Sequence, residues 1–182
     1  MIAAAMVAML AIQASSAQSS TARAFELTAS AGPSKVIGIT GDNLNWGYTA
    51  GGALDFRIPD TRFGLRAEAS YSSYNFRAGK SLVSDAKFSD LGLNLDLVSW
   101  AAEESGSDLR PYITLGPSIS RLTSSSTIAS SSYAETHAGF NVGLGVDKPI
   151  GALALRFDVR FRQLSLNGDT FKAIPITVGL QF

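Results

Sequence analysis

Apolar and polar positions alternate with a period of two along most of the chain, most strictly over its last ten residues. From Ala173 to Phe182, Ile174, Ile176, Val178, Leu180 and Phe182 fall on one parity, with Thr177, Gly179 and Gln181 on the other. Such alternation predicts a β-strand with one apolar and one polar or small face. Seven earlier segments repeat it. Phe25, Leu27, Ala29 and Ala31 make a weak first strand, and Tyr48 to Ile58 a second. Phe63 to Tyr71, Leu91 to Leu97 and Ile113 to Ile119 give the third, fourth and fifth. Ala138 to Val146 gives the sixth and Leu153 to Phe161 the seventh.

Turn and loop chemistry separates the segments. Pro59-Asp60-Thr61 and Lys148-Pro149-Ile150-Gly151 read as tight turns. Stretches 32–47, 75–86, 99–109 and 122–136 read as longer connections, and 165–172 as a short loop. Strands joined in this way run antiparallel. Most segments hold about ten residues; at about 3.3 Å each and a tilt near 40°, they rise close to the ~25 Å apolar band of a bacterial outer membrane. No segment approaches 18 uninterrupted apolar residues, so the pattern excludes a helical membrane protein. One domain, all-β, an eight-stranded antiparallel closed transmembrane β-barrel, is the expected architecture.

Alternation alone also describes a soluble barrel whose apolar parity faces an inner ligand. The two pictures differ in where Arg57, Arg66, Glu68, Asp90, Asp96, Arg156, Asp158, Arg160 and Arg162 point. Outward at mid-membrane, an arginine costs about 2–4 kcal/mol. Inward, acids and bases pair and fill a lumen just wide enough for side chains. Glycines crowd the polar parity at Gly51, Gly64, Gly92, Gly116, Gly139, Gly143, Gly145 and Gly179, as a tightly curved wall requires. Aromatics gather at expected strand ends: Phe25, Phe56, Phe63, Trp100 and Phe182 at one rim; Trp46, Tyr48, Tyr71, Tyr74 and Phe171 at the other. These features favour the membrane reading, with a charge-lined eyelet for small ions as the functional alternative to a plugged lumen.

The ending on Phe182 and the alternating strands resemble the small outer-membrane β-barrel family that includes OmpA-type transmembrane domains and OmpX. The resemblance covers about residues 24–182. It implies a bacterial outer-membrane location, a lipid-embedded monomer, and an assembly signal at Ile176, Val178, Leu180 and Phe182 read by the barrel assembly machinery. The peptidoglycan-binding domain that follows OmpA-type barrels has no counterpart here, so cell-wall tethering does not carry over.

Composition narrows the function. Lysine plus arginine and aspartate plus glutamate are 15 each, giving zero net charge and no field for nucleic acid. Cysteine is absent, which removes disulfides and thiolate chemistry. Residues 1–17 read as a secretory signal peptide, an apolar run closed by Ser15 and Ala17, although no basic residue precedes it. Residues 18–182 are then the barrel domain. His137 is the one histidine, which excludes multi-histidine metal centres, so neither metal nor cofactor is expected. Glu135, His137, Ser131 and Ser132 resemble the residue set of outer-membrane lipid A deacylases. Gly139 stands where that family's His-x-Ser motif has its nucleophile. The expected role is structural or surface-interacting and not enzymatic; a narrow pore is the alternative and a lipid-modifying enzyme a second.

Overall fold

The computed structural model describes residues 25–38, 41–77, 87–101, 108–126, 131–166 and 168–182. Eight strands form one closed antiparallel barrel in sequence order. They are β1 (Phe25–Ile37), β2 (Gly47–Arg57), β3 (Phe63–Asn75), β4 (Lys87–Trp100), β5 (Arg110–Ser126), β6 (Ser131–Ile150), β7 (Leu153–Ser165) and β8 (Thr170–Gln181). Closure joins the first and last strands, from Ile37 opposite Lys172 to Thr28 opposite Gln181. The amide of Phe182 donates to the carbonyl of Leu27 at 2.8 Å, so the final residue belongs to the ladder. A closed ladder leaves no sheet edge along the wall, the condition for a strand protein to cross lipid. No helix among the described residues is long and apolar enough to do so.

The apolar parity faces outward. Leu91, Leu93, Leu95 and Leu97 are all at least half exposed, while Asp90, Asn94 and Asp96 on the other parity are buried. The same holds on β7 and β8, where Leu155, Phe157 and Val178 are exposed and Arg156 and Arg160 buried. A soluble barrel with an apolar interior is thereby excluded. The turn between β6 and β7 needs Gly151, whose φ of 63° is costly for a side chain bearing Cβ.

Two connections are shorter than their composition suggests. β1 continues through Gly32-Pro33 to Ile37, where stretch 32–47 was expected to be a loop. Gly32 permits this, because a Cβ there would collide with the Ile176 carbonyl of β8. A short 3₁₀ turn, Gly41–Asn43, completes the connection. The serine-rich stretch 122–136 is mostly strand: β5 and β6 stay paired up to Ser126 opposite Ser131. Serine is a weak strand former, but a two-stranded ladder already in register carries it along.

Candidate functional site: the filled lumen

Among the described residues polar chemistry is concentrated in the lumen, and strand register decides which groups meet. β3 and β4 set Arg66 opposite Asp96, β6 and β7 set Asp147 opposite Arg156, and β2 and β3 set Asp55 opposite Arg66. Arg66 holds Asp55 at 2.6 Å, and Arg156 takes the other Asp55 oxygen at 2.6 Å and Asp147 at 2.7 Å. Arg160 gathers Glu68 and Asp158 at 2.7 Å each and Asp96 at 3.1 Å. Arg162 pairs with Asp90 at 2.7 Å and donates to the Ser70 hydroxyl at 2.9 Å. Arg57 lies nearer the terminal end, 3.0 Å from Glu26, with its guanidinium 4.3 Å from the centre of the Trp100 ring.

All nine charged residues expected in the lumen point inward. Glu26, Asp55 and Asp147, outside that expected set, complete the pairs, and each stands on the polar parity. Neutral groups add further bonds to the acids. Tyr112 donates to Asp158 at 2.6 Å, Asn141 to Asp96 at 2.8 Å and Asn94 to Glu68 at 3.2 Å. Buried ions are tolerated only when paired and hydrogen-bonded in this manner. A cavity between Glu68, Ser70, Arg160 and Arg162 measures about 20 Å³, room for one water. A larger one of about 460 Å³, lined by Glu26, Arg57, Pro149 and Gln181, opens at the mouth beside the start of β1 and the end of β8.

Above the ion pairs the filling changes. Val36, Leu44, Tyr74, Leu122, Leu164, Phe171 and Ala173 form a buried apolar cluster, with Phe76, Phe88 and Leu166 packed against it. Phe88 lies 5.5 Å from Phe171 and 6.1 Å from Tyr74, and the Tyr74 hydroxyl shares a 2.7 Å hydrogen bond with Ser34. Leu44 reaches in from the connection between β1 and β2, which is tied to β3 through Asn45 and Arg77. Tyr74 and Phe171 therefore plug the barrel and do not belong to an outer aromatic girdle. Trp100 likewise turns inward, beside Val98 and Tyr112. Trp46, Tyr48 and Tyr71 are exposed on the outer wall, as are Phe25 and Phe63 at the other end.

His137 contacts Glu135 at 3.2 Å. Ser120 stands opposite His137 across the ladder, but its hydroxyl makes no hydrogen bond. The side chains of Ser131 and Ser132 lie outside the described residues. Beyond the spanning part, the exposed Tyr133 hydroxyl donates to Glu135, and this bond pushes the phenol above the ordinary tyrosine range. No group of three or more metal-ligating side chains occurs among the described residues.

An apolar outer wall, a polar inner wall and a closed ladder define a transmembrane β-barrel of the bacterial outer membrane. The chain belongs to the outer membrane protein beta-barrel domain family, whose model matches residues 2–182. Among solved structures it is similar to Neisserial surface protein A (NspA), at 17% identity and TM-score 0.67, covering 87% of this chain and 96% of that one. OprG from Pseudomonas aeruginosa (13%, TM-score 0.58) covers the same shares. Ail, the attachment invasion locus protein of Yersinia pestis, matches at 15% and 0.52 over 87% and 97%. These likenesses concern the fold. No curated protein matches the chain.

Proposed function

We propose that this protein is a sealed, monomeric scaffold. It holds its chain ends on the periplasmic side and presents the β1–β2, β3–β4, β5–β6 and β7–β8 connections to the outside. The observation that carries this reading is the filled lumen: ion pairs through its middle and an apolar cluster above them, with room for one water between Glu68 and Arg162. A surface role agrees with the names of two similar structures, a surface protein and an attachment protein. The role we read is not enzymatic, with His137 held 3.2 Å from Glu135 as a contact of the strand end. Residues 1–17 act as a cleaved leader, so the mature chain begins at Gln18. The strand ending on Ile176, Val178, Leu180 and Phe182 is the segment presented to the assembly machinery.

Planar-bilayer recording tests the sealed lumen. The purified barrel is expected to give no steady current, and a reproducible open level would favour the narrow pore.

A further inference from the structure

Every charged side chain on the outward face of the eight strands is basic: Lys35, Lys87, Arg121, Lys148 and Lys172. The carboxylates of those strands all lie on the inward parity. Solvation alone would not sort the two signs in this way. Four of the five stand at the end opposite Phe25 and Phe182. Lys35 lies about ten residues beyond Phe25 on β1, and Lys172 about ten before Phe182 on β8. That is about 25 Å of rise, the height of the apolar band, so both ammonium groups emerge where headgroups begin.

Two of them share one spot. The β1–β8 ladder sets Lys35 opposite Ile174 and Lys172 opposite Ile37, making the lysines diagonal neighbours about 7–8 Å apart. The Lys35 ammonium stands 5.9 Å from the centre of the exposed Trp46 ring. One Lys35 proton goes to the Leu44 carbonyl at 3.4 Å, which leaves the others for a ligand.

We propose that Lys35 and Lys172, flanked by Trp46, form a phosphate-binding patch for the phosphorylated glycolipid of the outer leaflet, lipid A, with Arg121 a second contact on another part of the wall. Two adjacent ammonium groups match a dianionic phosphomonoester better than the single charge of a phosphodiester lipid. The inference rests on the termini being periplasmic and is independent of whether the lumen conducts.

The test uses the folded barrel in phosphatidylcholine nanodiscs, with bound lipid counted by native mass spectrometry. The probes are phosphorylated lipid A, lipid A stripped of phosphate, and phosphatidylglycerol. Wild type is expected to prefer phosphorylated lipid A. K35Q or K172Q alone should weaken it about fivefold, from roughly 1 kcal/mol per basic residue near a charged surface. The double variant should lose about thirtyfold on the same basis. K148Q, which removes one outward charge at the other end, should leave binding unchanged. Equal binding of stripped lipid A, or wild-type binding by the double variant, would overturn the patch. Orientation is read separately: in intact cells an impermeant maleimide should label Asp42→Cys and spare Ala152→Cys. The reverse would sink the periplasmic placement of the termini without touching the nanodisc result.

Discussion

The middle and the far end of the barrel solve one packing problem by opposite means. Between Asp55 and Asp90 the lumen is filled by guanidinium and carboxylate groups, each arginine serving one to three acids. A few residues higher, the same wall turns inward Tyr74, Leu122, Leu164 and Phe171 and is filled like a soluble core. The charged storey gains specificity of register, because a one-residue slip would aim every ion at lipid. It gains little net stability over an apolar filling. The apolar storey needs no charge partners, so it can accept Leu44 from the β1–β2 connection, which a single bridge to Phe76 fixes beside the end of β3.

The contrast predicts graded damage. Asp55→Ala leaves Arg66 and Arg156 without their shared carboxylate and should cost about 3–5 kcal/mol in urea unfolding from lipid. Asp55→Asn, which keeps the shape, should cost less. Leu44→Ala should cost about 2–3 kcal/mol, since it empties the upper storey while the wall stays intact. Leu155→Arg places a charge on the lipid face near the rim, opposite Lys148, and should cost about 1 kcal/mol, weakening the mobility shift of unboiled protein on gels. Ala154→Arg, beside the mouth cavity, should be milder; equal effects would mean that the two faces are not distinguished. Tyr74→Phe, which removes only the Ser34 hydrogen bond, should cost about 1 kcal/mol.

Strand number, strand direction and the inward placement of the arginines were legible because one period governs them all. The partners were not: parity says that Arg160 points inward, but only the stagger of the closed sheet brings it to Glu68, Asp96 and Asp158 together. The apolar plug was missed for a related reason. Apolar residues three apart, such as Tyr71 and Tyr74, Ile119 and Leu122, or Phe161 and Leu164, mark where greasy side chains cross from the outer face to the inner. Taken as rim aromatics, Tyr74 and Phe171 hid that switch. Trp100 was misplaced in the same way, its even position putting it with Val98 inside. The serine-rich hairpin shows the opposite error, composition being weighed above pairing.

The most direct test of a lumen filled twice over is the conductance of the barrel with its plug cut back, Leu44→Ala combined with Phe171→Ala, in a planar bilayer. The ion pairs beneath still fill the bore, so the variant should stay as silent as the wild type. A steady current from the plugless barrel, or from the wild type itself, would contradict the account.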